Sequence, residues 1–182
     1  MGGTTVSHGV AKQTIDYCRS RNVTVMAMVQ PRGGDFVYNK AEIAMMQEDI
    51  AHFKELGADG VVFGCLTDSG WIDEVAMLTL LQSAKGLEVV FHMAFDQIRP
   101  EAQLDAITWL AEQGVTRILT HGGSSNSKLE DNLDLLKEWI QFAGDRITIM
   151  PGGGITDRNL PHIVRELGIT EVHGTKIVGE LE

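Results

Sequence analysis

The sequence predicts an α/β fold of the TIM-type (β/α)8 barrel class, in which parallel strands alternate with helices. Three observations predict it. KELGADGVVFG (54–64), AEQGVTRILTHG (111–122) and RELGITEVHGTK (165–176) repeat one pattern: a helix closed by glycine, a turn of two or three residues, then a short apolar run. A glycine just past the last helical residue supplies a left-handed cap, and a brief turn into a β-rich run makes an αβ connection. Six strand candidates start near residues 23, 60, 88, 117, 146 and 171, spaced 25 to 37 residues apart, which leaves room for one crossover helix between each pair. The strands carry Val, Ile and Met with little polar alternation, as parallel strands covered on both faces do.

The elements follow in order. VTVMAMVQ from 23 is the first strand candidate, and AEIAMMQEDIAHFKEL after it sets Ile43, Met46, Ile50 and Phe53 on one helical side. The runs at 60 (GVVFG), 87 (LEVVFHMAF) and 117 (RILT) follow. LEDNLDLLKEWIQFA then repeats the amphipathic spacing with Leu129, Leu133, Leu136 and Ile140, before RITIMP from 146 and EVHGTK from 171. A doubly wound sheet satisfies the same alternation. The even pitch and the absence of GxGxxG after the first strand favour the barrel.

The chain has 182 residues and 43% hydrophobic content, enough for one core, so a single domain over 1–182 is expected. A net charge of -10 offers no basic surface for nucleic acid or an anionic membrane. No apolar run reaches the roughly 18 residues of a membrane span. Two cysteines, Cys18 and Cys65, form no disulfide framework, which suits a reducing cytoplasm.

In either architecture the working face lies at the carboxyl ends of the strands. Those ends carry Gln30, Arg32 and Asp35 (QPRGGDF), Cys65 and Asp68 (GCLTD), His92 and Asp96 (FHMAFD), His121 (THGG), Gly152, Gly153 and Gly154 (PGGGI), and His173 and Lys176 (HGTK). No Ser-His-Asp order, HExxH, CxxC or P-loop is present. Arg32 can hold an anionic group with Asp35 as orienting group or base, and His92 and Asp96 complete a candidate catalytic set; an Arg32–Asp35 ion pair that only closes the loop is the alternative. Gly152, Gly153 and Gly154 with Lys176 make a candidate anion site, because glycine amides approach a ligand closely; the alternative is a tight turn. His92, His121, His173 and Cys65 form a nitrogen and sulfur set suited to zinc or copper, if all face the mouth. Met26, Met28, Met93 and Met150 also lie in or next to strands, where thioethers suit Cu(I) but more often fill a core.

GGTTVSHGV, VQPRGGDFVY, GADGVVFGCLTDSGWID, VFHMAFD, RILTHGG, IMPGGGITDRN and EVHGTK, in that order, resemble the CutC copper-homeostasis family almost from end to end. The resemblance implies a cytoplasmic, homo-oligomeric (β/α)8 barrel linked to copper tolerance or Cu(I) binding. Gln30 and Met93 stand where many members have arginine, so the mouth is less positive. Cysteines assigned to copper in some members precede GGTT, and neither Cys18 nor Cys65 occupies those positions. Against the family, the chain begins where the second strand has ended, so family strands 1 and 2 are absent and an incomplete barrel of six strands is expected. The expected function is CutC-like copper homeostasis with copper as cofactor. The alternative is an enzyme on a small anionic or phosphorylated metabolite bound at the barrel mouth.

Overall fold

A computed structural model describes residues 3–123 and 127–179. Five strands, β1 (Met26–Met28), β2 (Gly60–Phe63), β3 (Glu88–Phe91), β4 (Arg117–Thr120) and β5 (Thr148–Pro151), form one parallel sheet in sequential order. The register pairs Met26 with Gly60, Val62 with Val90, Phe91 with Ile118 and Leu119 with Met150. Six helices, α1 (His8–Arg19), α2 (Lys40–Leu56), α3 (Glu74–Ser83), α4 (Gln103–Glu112), α5 (Leu133–Ala143) and α6 (Leu160–Leu167), alternate with the strands.

Sequential order departs from the doubly wound alternative left open by the sequence. A doubly wound sheet reverses its strand order part-way and covers both faces with helices. Here Val61, Phe63, Val89, Phe91, Ile118 and Ile149 from one sheet face share a single core with Ile15, Ile50, Phe53, Leu80, Ile107, Trp139 and Ile163 from all six helices. The other face forms a separate small cluster, Val62, Val90 and Leu119, flanked by the half-buried Met26, Met28, Met93 and Met150, to which no α-helix contributes among the described residues. The sheet is therefore wound in one direction, with its helices on one side.

The caps explain where the helices start and stop. The Asn39 side chain accepts from the amides of Ala41 and Glu42 while Glu42 accepts from the Asn39 amide, a reciprocal capping box that opens α2. Gly57 ends that helix at φ 81°, and Arg19 reaches from α1 to the carbonyls of Leu56 and Gly57 at 2.9 and 3.0 Å, placing its charge at the negative end of the helix dipole. Asp73 caps α3 through the Ala76 amide, and Gly168 ends α6 at φ 64°.

One strand candidate is corrected. The run from 171 forms no strand; its backbone makes only isolated parallel bridges among the described residues, His173 to Gly152 and Lys176 to Thr156. This stretch touches its neighbour at single residues and not over consecutive ones, so no ladder propagates along it. No described helix is long and apolar enough to cross a membrane.

Candidate functional site

The carboxyl ends of β1 to β5 bring most of the sequence candidates to one rim, where the hydrogen bonds give them roles the sequence did not settle.

Arg32 is consumed by its own loop. A guanidinium has five N–H donors. Nε donates to Glu42 at 2.6 Å, Nη2 to the Asp35 carboxylate at 2.9 Å and the Val37 carbonyl at 2.7 Å, and Nη1 to the carbonyls of Asp35 at 3.2 Å and Gly33 at 3.4 Å. No donor remains for an anion, so the expectation that Arg32 clamps a ligand gives way to the loop-closing account. Asp35 is exposed, and the Arg32 guanidinium holds its carboxyl below the usual range, which is the wrong direction for a general base at neutral pH.

His92 follows β3 and is 3% exposed. Its Nδ1 accepts from the Ala94 amide at 3.2 Å, so the neutral ring carries its hydrogen on Nε2, which is buried without a partner. Burial lowers its pKa to about 4, and the Phe36 ring packs 4.6 Å away. With Nδ1 accepting and Nε2 protonated, the ring presents no free lone pair to a metal.

Asp96, in the 3-10 turn Met93–Gln97, joins the ends of β3 and β4. Its carboxylate accepts from the Thr120 hydroxyl and from the His121 amide at 2.9 Å. Burial is the main cause of its raised pKa, opposed by those donors. Both oxygens serve the fold, which makes Asp96 a clamp between strand ends. Thr120 is the partner that sequence reasoning missed; its only signal was its place before His121 in RILTHGG.

His121 is held at both ring nitrogens by carbonyl oxygens, Nδ1 to Gly152 at 3.1 Å and Nε2 to Ser127 at 3.0 Å, while Asn132 donates to its backbone carbonyl. Neither ring nitrogen is directed at open space. Cys65 is fully buried, and burial pushes its thiol well above the ordinary range, away from the thiolate that binds metals. His173 is exposed on the bridge to Gly152. Among the described residues no three His, Cys, Asp or Glu side chains converge as a metal site, and the set His92, His121, His173 and Cys65 is not assembled. Each buried member is instead spent on a nearby backbone group or on packing.

The three glycines serve packing as well as turning. The Gly152 amide donates to Thr120 and its carbonyl meets His121, Leu119 covers its open side, and Gly153 lies under His121 and Met93. Gly154 alone has open space beside it. Lys176 is exposed and lines a cleft of about 750 Å³ with Thr156, Asp157, Arg158 and Gly179, where acidic and basic groups mix. The anion set Gly152, Gly153, Gly154 and Lys176 is therefore close in the fold but covered where the sequence placed the ligand.

The helix-free face of the sheet holds a second feature. Met26, Met28, Val62, Val90, Leu119, Met150 and His173 line a cavity of about 490 Å³, closed at one end by Arg117, which bridges Glu88 and Glu171. The period-two spacing of Met26 and Met28 was the signal that both face the same way.

Comparison with known proteins agrees with the fold. At the level of fold alone, the chain superposes on the tryptophan synthase α subunit of Pyrococcus furiosus, a TIM-barrel enzyme, with a TM-score of 0.59 at 16% identity over 91% of this chain and 60% of that one. The structure of the copper homeostasis protein CutC from Streptococcus agalactiae superposes with a TM-score of 0.94 at 43% identity, covering 97% of this chain and 84% of that one. A family protein CutC of Enterococcus faecalis is 52% identical over 178 residues, 98% of this chain and 85% of that protein. The human copper homeostasis protein cutC homolog is 44% identical over 176 residues, 94% of this chain and 60% of its own length. With the CutC family model matching residues 1–178 as well, the chain belongs to the CutC family.

Proposed function

We propose that the chain acts in copper homeostasis, in the cytoplasm, with Cu(I) as the ion it handles. The carrying observation is the match over nearly the whole chain to relatives named for that role, in a bacterium and in humans. Loss of the gene should lower the copper concentration at which the host stops growing, with restoration by the intact gene. Unchanged tolerance together with no Cu(I) uptake by purified protein would reject the role.

Three finer readings go with it. The one-sided, sequentially ordered sheet is read as part of a (β/α)8 wall, which the likeness to a TIM-barrel enzyme supports. The two free cysteines support a reducing compartment. Self-association into a homo-oligomer is read from the family resemblance, and sedimentation tests it. The alternative of an enzyme acting on a small anionic metabolite is not favoured, because Arg32 has no free donor and Gly153 is covered by His121.

A further inference from the structure

We infer that the helix-free face of the sheet is a Cu(I) site built from the thioethers of Met26, Met28 and Met150, with the His173 imidazole at its rim. The inference rests on the copper reading and assigns the ion to a place on the protein.

Soft, polarisable sulfur selects Cu(I) over the hard and borderline cations. Four of the eight methionines, Met26, Met28, Met93 and Met150, pack against one small cluster, and three of them line its cavity of about 490 Å³. Their placement follows from the sheet. Met26 and Met28 are two residues apart on β1 and share a face, while Met150 reaches the same face from β5, paired with Leu119. Gly60, opposite Met26, makes room for that side chain: a Cβ there would lie 2.6 Å from the Met26 sulfur and 2.3 Å from its methyl carbon. All three are half-buried and line the cavity, in place of being sealed in the main core.

Charge points the same way. Arg117 pairs with both Glu88 and Glu171 at the cavity wall, two carboxylates against one guanidinium, which leaves one net negative charge beside a site of neutral sulfurs. A monovalent cation balances it. Binding moves no electron and needs no proton released from a thioether. The site also explains how a chain whose Cys65 is buried as a thiol and whose His121 is tied to carbonyls can still hold a soft metal.

The test is anaerobic titration of the full chain with Cu(I) against a chromogenic chelator, at pH 7 and pH 5, for the wild type, the triple variant Met26→Leu/Met28→Leu/Met150→Leu and the control Met45→Leu on exposed α2. Leucine conserves volume, so the fold should persist. We expect one ion per chain, a thioether-borne affinity still measurable at pH 5 because thioethers do not titrate, and a loss of more than about 100-fold in the triple variant at both pH values, beyond what loss of a group that merely supports a ligand costs. Should the triple variant misfold, Ag(I) in chloride-free buffer should protect Met26, Met28 and Met150 of the wild type, but not Met45, from peroxide oxidation. Wild-type binding with an unaffected, folded triple variant, or equal oxidation with and without Ag(I), overturns the site and leaves the copper role standing. No wild-type binding, combined with unchanged copper tolerance, overturns both.

Discussion

His121 sits directly over Gly153: a Cβ on that glycine would lie 2.8 Å from the ring Nδ1 and 3.2 Å from the methyl carbon of Met93. Gly153 also holds φ at 86°. Close approach and backbone conformation therefore both demand glycine there, whereas at Gly154, with φ 81° and nothing within 4 Å, only the conformation does. Gly153→Ala should cost roughly 2–4 kcal/mol and Gly154→Ala about 1–2 kcal/mol, read from urea unfolding midpoints. Equal costs would show that His121 yields freely.

His92 makes stability depend on pH. Its pKa in the fold, about 4, lies below the ordinary 6.5, so the unfolded chain binds the proton more readily. Its contribution is fully present above pH 6.5 and is lost as pH falls toward 4, a decline of about 3 kcal/mol over that window. Replacing it by glutamine, which does not titrate, should flatten the pH profile of unfolding over the same range. Nitrogen NMR of the wild type should find the ring neutral at pH 6 with its hydrogen on Nε2.

Arg32→Lys tests whether that side chain serves the loop or a ligand. Lysine offers a point charge with three donors where the loop uses a planar fork with five. A lower urea unfolding midpoint is expected, with faster proteolysis between residues 31 and 38 and Cu(I) affinity within about threefold of the wild type. A large loss of affinity with an intact loop would return Arg32 to the binding site.

Asp96→Asn sets one amide NH2 against a donor, because the Thr120 hydroxyl and the His121 amide approach different carboxylate oxygens. The cost should be about 2–3 kcal/mol, with faster hydrogen exchange at His121 and Gly122, whose amides depend on Asp96 and Thr120.

The fold was legible where local chemistry and tertiary packing agree. Gly57 and Asn39 mark helix ends through their own backbone and side-chain preferences, and the apolar spacing of α2 buries Met46, Ile50 and Phe53 as its period requires. The sixth strand was misread because RELGITEVHGTK has the same local pattern as the two repeats that do form strands. The difference lies in whether consecutive residues pair with a neighbouring strand, which no local signal carries. The site was less legible for the same reason. That Arg32 and His121 sit at strand ends follows from spacing alone. That all five Arg32 donors find carboxylate or carbonyl partners, and that both His121 nitrogens face backbone carbonyls, depends on how two loops fold back. Thr120 became a partner of Asp96 only once β3 and β4 lay side by side.

No strand in the sheet exceeds four residues, and β1 has three. Each therefore lends two side chains at most to either face, and the calibre of the inner cavity is set by a handful of positions. Parity is the vulnerable quantity. Inserting one residue within Met26–Met28 would rotate Ala27 inward and drive a sulfur into the layer beneath α1 and α2, whereas the same insertion at Asn22, in the turn before the strand, would be absorbed. Indel tolerance scanned across residues 20–30 should consequently be high at Asn22 and drop sharply at Met26.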